Sequence, residues 1–249
     1  MPDSLIWKVF WVALLTDLAT GLGAVPLFWA RSFRLRWHGV ATAATAGMML
    51  SASVFALTAE ALQRGKLWHV VTGLIVGAAF FSATARYVER AQWRLGELTV
   101  AESRQGLLIL VAMFIHSFPE GVAIGVGYAT GELRYGLLLA MAIAVHNVPE
   151  GLAVALPLRA RGVSGWACIG YAILTSVPQP VAAVPSFLLV SLFQPLLPLG
   201  LGFAGGAMIF LVASDLLPDS LEHCSRIDTA WAFTIGLVAM LWFTGAIGL

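Results

Sequence analysis

The chain has 249 residues, of which 59% are hydrophobic and only 11% are Asp, Glu, Lys or Arg, with a net charge of +1. A soluble domain carries roughly 25% charged residues, so this composition predicts an integral membrane protein. The near-neutral balance gives no electrostatic reason for a nucleic-acid partner.

A membrane span needs about 20 apolar residues, and the charges divide the chain into stretches of that length. Spans one to three fall near 7–30, 38–62 and 67–88. The first lacks a convincing cleavage site and is read as a retained span with Asp17 inside it. A polar stretch from Arg86 through Glu102, containing Arg90, Arg94 and Glu97, follows span three. Spans four and five cover about 104–130 and 133–158. Residues 162–214 hold no charged side chain and are too long for one helix. Gln194, Pro195 and Pro198 divide them into span six (163–192) and span seven (196–217), and span eight is 229–249. The expectation is one polytopic domain over 1–249 with nothing appended at either end.

Eight spans place both termini on one side. With the termini outside, the inner loops hold Arg31, Arg34, Arg36, Arg86, Arg90, Arg94, Arg104, Arg159, Arg161 and Arg226. The outer segments hold Lys8, Arg64, Lys66 and Arg134. Basic residues favour the cytoplasmic side, so the termini are expected outside, or in the periplasm, of a plasma or inner membrane. Span two (ATAATAGMML, ending at Glu60) and span seven (GFAGGAMIFL, ending near Asp215 and Asp219) share small residues, a Met and an acidic exit. They run in opposite directions, as in the inverted repeats of transporters. Small residues also serve simple close packing, and that reading stays open.

Two copies of one pattern lie in neighbouring spans: HSFPEG at 116–121 and HNVPEG at 146–151. Each puts His and Glu four apart, on one helix face. Ionisable residues at membrane depth are costly and mark functional sites. His116, Glu120, His146 and Glu150 therefore form the candidate metal site, since imidazole with carboxylate suits first-row divalent ions. Pro119 and Pro149 remove the helix donors to the Ile115 and Val145 carbonyls, so kinks are expected there. Cys168 and Cys224 match no metal or redox spacing. His38, His69 and His223 lie near span ends and read as interfacial, and Asp17 has no assigned role.

These motifs resemble the signature of the ZIP (Zrt/Irt-like) metal transporters, compact bacterial members above all. GMML in span two, the Pro-flanked polar residue in VPQP and GAMIF in span seven extend the resemblance over the chain. The resemblance implies an all-α membrane fold of eight helices in a 3+2+3 arrangement with inverted outer triplets, and a transport domain that moves like an elevator. It adds Met49 to the primary ligands and places a second position at Ser117, Asn147 and Gln179. Many binuclear members carry Asn, Asp and Glu at those three positions. With no carboxylate among them here, one tight ion and at most one weak one are expected. Ser214 and Asp215 match an exit site that can carry His and Glu in the family.

The expected function is import of divalent metal, zinc first, then iron, manganese or cadmium, with no cofactor. The partners are the ion and the lipid bilayer; a homodimer is plausible on the resemblance. Uptake is expected to fall below about pH 6, because imidazole binds metal only when neutral. The alternatives are a membrane-embedded metalloenzyme and a cation channel. Di-metal enzyme bundles use Glu-x-x-His spacing and zinc proteases H-E-x-x-H, and neither occurs here.

Overall fold

The computed structural model describes residues 3–28, 35–90 and 101–249. Arg31, Arg34 and Arg94 of the orientation argument, and Glu97 of the polar stretch, lie outside the described residues. The described chain is helical throughout: α1 (Asp3–Ala24), α2 (Arg36–Ser51), α3 (Ala59–Arg64), α4 (Leu67–Arg90), α5 (Ala101–Ala129) and α6 (Leu133–Ala160). After these come α7 (Gly165–Ser176), α8 (Pro178–Leu192), α9 (Leu197–Leu211), α10 (Leu217–His223) and α11 (Arg226–Ile247). Among the described residues, seven helical stretches are long and apolar enough to cross a membrane. Alongside them runs α5, 29 residues long. The chain is a multi-pass membrane protein.

The spans are less regular than their sequences suggest. Span two changes from α2 to a π-helical segment, Ala52–Thr58, before α3. The Thr58 hydroxyl donates to the carbonyl of Ser53, five residues back (2.8 Å), and Tyr135 Oη of α6 donates to Ala56 O (3.1 Å). Span seven repeats the feature: a second π segment, Val212–Leu216, joins α9 to α10, and helix continues to His223, beyond the expected end at 217. Span six is two helices that meet at Val177, where Pro178 opens α8 and Gln179 follows at the break. By contrast, α5 runs on through Pro119, and α6 through both Pro149 and Pro157.

Sharp ends have local causes. Ser164 and Ser225 cap α7 and α11 by accepting from the backbone N–H of Ala167 and Asp228, the usual role of a hydroxyl before a first turn. Gly131, at φ +81°, makes the tight reversal from α5 to α6, a conformation glycine adopts without steric cost.

Four helix pairs dominate the packing: α1 with α6, α5 with α8, α2 with α11, and α4 with α9. Each is seamed by glycines that have no room for a side chain. A Cβ on Gly151 would sit 1.8 Å from Thr20 O, and one on Gly23 2.0 Å from Val148 O, across α1 and α6. Gly121 and Gly125 face the Gln179 and Ala183 carbonyls of α8. Gly47 and Gly236 close the α2–α11 seam, and Gly77 and Gly206 the α4–α9 seam, all against backbone. Lipid tails are as apolar as Leu, so helix association in a membrane relies on such close approach. The pairs gather into two groups. Helices α1, α5, α6, α7 and α8 form one, and α2, α4, α9 and α11 the other, with α2–α6 and α5–α9 contacts between them.

Candidate metal site

The reversal at Gly131 sets α5 and α6 antiparallel, bringing the two six-residue motifs side by side. His146 and Glu150 share one face of α6, and Glu120 faces them from α5. Ligand atoms of Glu120, His146 and Glu150 all lie within 4.8 Å of one another, and all three residues are buried. His146 Nε2 is 3.2 Å from Glu120 Oε1. The Glu150 oxygens are buried with no hydrogen-bond partner beyond this cluster. Two carboxylates and one imidazole in an apolar interior form a donor set for a small divalent cation, whose charge would offset the cost of burying them.

His116 lies elsewhere. Its Nε2 is 3.1 Å from Asp215 Oδ2, in the π segment of span seven, and its ring packs beside Phe81 at 5.6 Å. The structure thus brings together three of the four motif residues and ties the fourth to the expected exit residue Asp215. Ser214, the neighbour of Asp215, is exposed. Met49 is buried on α2, a helix that packs against α6.

Behind Glu120 lies a polar shelf. Gln179 donates from Nε2 to Glu120 Oε2. Its carbonyl oxygen accepts from Thr16 Oγ1 (2.7 Å) and from Asn147 Nδ2 (3.2 Å). Asn147 Nδ2 also donates to Thr16 O (2.9 Å). The break between α7 and α8 places Gln179 here, and its carboxamide is held at both ends. Ser117 instead donates to Met113 O within its own helix (3.3 Å). Thr16, next to Asp17 on α1, is the one member that sequence reasoning missed; a lone Thr in an apolar span carries no pattern. Asp17 itself is buried.

His38 lies in the first turn of α2, at a span end as expected, but it is buried within the protein there. His38 is 7% exposed and contacts both Ala153 O (2.9 Å) and Asp219 Oδ2 (2.8 Å). A nearby proline accounts for this. Pro157 has no N–H to give the Ala153 carbonyl, and His38 occupies the place of that missing donor. His223 is partly exposed, as expected near a span end, and His69 packs against Trp68 at a ring separation of 3.7 Å.

The family described as "ZIP Zinc transporter" matches residues 94–244. The chain is 32% identical to zinc transporter GufA of Myxococcus xanthus, over 91% of this chain and 95% of that protein. It is 32% identical to zinc transporter ZIPB of Bordetella bronchiseptica over 92% of this chain and 78% of that one. Zinc transporter ZIP11 of Xenopus tropicalis is 39% identical over 55% of this chain. The chain spans 43% of that protein's length, and 36% of the length of a longer Arabidopsis thaliana relative. The family consists of transporters rather than enzymes. With a match over more than half its residues and a bacterial relative aligned almost end to end, the chain belongs to the ZIP zinc transporter family.

Proposed function

We propose that the protein carries divalent transition-metal ions, zinc foremost, across a cell membrane into the cytoplasm. The observation that carries this reading is the buried Glu120–His146–Glu150 cluster at facing points of α5 and α6. An ion there exchanges its hydration for two carboxylates and an imidazole. His116, and the Met49 thioether from α2, complete the primary set once the helices shift. Iron, manganese and cadmium accept the same donors, and no separate cofactor takes part.

Gln179 decides occupancy. At its position a carboxamide, saturated by Thr16, Asn147 and Glu120, replaces a second acid. Asn147 Oδ1 is a buried acceptor with no protein partner, so the position by Asn147, Ser117 and Gln179 takes at most one weak second ion. One tight ion occupies the midplane.

The eight spans form a 3+2+3 arrangement within one domain, both termini outside. Exchanging span one with six, two with seven, three with eight and four with five turns the α1–α6 pair into α8–α5. It turns α2–α11 into α9–α4. That correspondence, and the π segment present in both span two and span seven, support inverted outer triplets. The elevator group is α1, α5, α6, α7 and α8, which holds the metal ligands; α2, α4, α9 and α11 form the fixed group. As the site opens inward, His116 passes the ion to Asp215 and the exit.

Zinc uptake into proteoliposomes holding the wild type or a Glu120→Ala, Glu150→Ala variant tests this. Saturable uptake that disappears in the variant is expected. Equal uptake in both would move the path away from the paired motif, and non-saturable flux would mean a channel.

A further inference from the structure

We propose that His38, Asp219 and His223 form a second metal site, for a divalent ion of the zinc class, where spans two and seven end together. The site goes beyond the proposed transport path; it rests on that reading only for the side of the membrane, which would be cytoplasmic.

The geometry starts from Pro157. The Ala153 carbonyl is free of its helix donor and only accepts, so His38 Nδ1, 2.9 Å away, carries the proton. That leaves Nε2 facing Asp219 Oδ2, 2.8 Å off, a contact satisfied by a second ring proton or by a cation held between the two. A ligating histidine whose other nitrogen donates to a backbone carbonyl is the usual arrangement around zinc. His223 comes from one helical turn beyond Asp219; its Nδ1 donates to the Asp219 backbone carbonyl (2.8 Å) and lies 3.6 Å from Asp219 Oδ1, so Nε2 is the nitrogen left to bind metal. Its ring stands nearly perpendicular to that of His38, 4.7 Å away. One ligand atom from each residue lies within 4.8 Å of the other two.

Tetrahedral ligation at about 2.0–2.1 Å sets ligand atoms about 3.4 Å apart. The His38–Asp219 pair therefore opens by about half an ångström on loading, while His223 stays within side-chain reach. Gly39 keeps the space: a Cβ there would press on Cys224 Sγ at 2.6 Å and on His223 Cβ at 3.0 Å. Cys224 Sγ packs near Gly39 but donates to the Arg36 carbonyl (3.1 Å) and is not one of the three clustered ligands, which leaves the fourth position to water. Asp219 is 39% exposed at its side chain and His223 26%, so the ion exchanges with water. Through Ala153 the site touches α6 three residues beyond Glu150, joining the fixed group to the helix that carries the midplane ligands.

The test uses the purified full-length protein with the midplane site removed by Glu120→Ala, Glu150→Ala. Zinc binding is measured by equilibrium dialysis, and cobalt is added as a coloured probe. One equivalent should remain, with the visible absorption of a low-coordinate cobalt site, and both should disappear on adding His223→Gln. His38→Gln, and separately Asp219→Asn, should weaken binding by tenfold or more. Thermal melting checks that each variant is folded. No equivalent remaining in the Glu120→Ala, Glu150→Ala protein would overturn the proposal and leave an ordinary His38–Asp219 ion pair. Binding that persists through His223→Gln and Asp219→Asn would overturn it too. Neither result depends on uptake, so failure of the transport reading is seen separately.

Discussion

His116 and Asp215 face each other across the boundary between the two helix groups, Nε2 to Oδ2 3.1 Å apart. The imidazole sits one turn from Glu120 on α5 yet is held by a residue of the opposite group. A histidine in that position can serve the midplane cluster or the exit, not both at once.

Asp215→Asn should free it. A hydrogen bond with one partly exposed member contributes about 0.5–1 kcal/mol, so its loss should tighten zinc binding at the midplane two- to fivefold. Release should slow in step. Titration calorimetry on the purified variant reads the first effect, and efflux from preloaded vesicles the second.

Gln179→Glu should create a second strong position. The new carboxylate would lie beside Glu120 and the vacant acceptor Asn147 Oδ1. In a His223→Gln background, which keeps the rim out of the count, tightly held zinc should rise from one ion per protomer to two. An unchanged count would remove Gln179 from any role in setting occupancy.

Acid should weaken uptake. Protons compete with the ion for His146 and for both carboxylates, and binding metal releases them. Affinity therefore rises with pH, from acid towards neutrality, as the ligands lose protons. A zinc dissociation constant that stays flat from pH 5 to 8 would remove the histidines from control of affinity.

Gly151→Ala should damage the α1–α6 seam, since the added carbon meets Thr20 O at 1.8 Å. Overpacking of this kind costs about 1–3 kcal/mol, which should appear as a lower melting temperature in detergent. Gly170→Ala, in open space, is the control and should melt with the wild type.

Arg64→Ala should loosen the end of the molecule where the loop between α5 and α6 meets α3. Arg64 bonds Glu60 on its own helix and reaches Glu132 and the Thr130 carbonyl beyond it. This clamp ties α3 to the turn between α5 and α6. Labelling of a cysteine introduced at the exposed Leu133 should increase in the variant, while midplane zinc affinity stays within about twofold.

The membrane character was legible because charge is scarce and its gaps have the length of a span. The motif pair was legible for a similar reason: a His–Glu spacing of four puts both side chains on one face, and the short turn at Gly131 sets the two copies together. Features that rest on the backbone were harder to read. Nothing in ASVFALT or VASDL announces a π turn, because the extra residue is accommodated by carbonyls rather than by a side-chain pattern. The prolines do not end their helices: α5 and α6 run on past Pro119, Pro149 and Pro157, and at Pro157 the freed Ala153 carbonyl is met by His38 of a neighbouring span. His38 looked interfacial because it follows Arg36 and Trp37 at the very start of a span; only the folded arrangement places it under Ala153.

The π turns give the chain two places where its length can change by one residue. A π turn holds one residue more than the α-helix on either side of it. Deleting Ala213 should therefore turn 212–216 into ordinary helix, with α9 and α10 keeping the faces they present to lipid and to their neighbours. The same deletion within α6 would swing every later side chain by about 100°. Natural length variation among related chains is expected to collect at these two turns, and an engineer seeking a tolerated single-residue deletion would begin there.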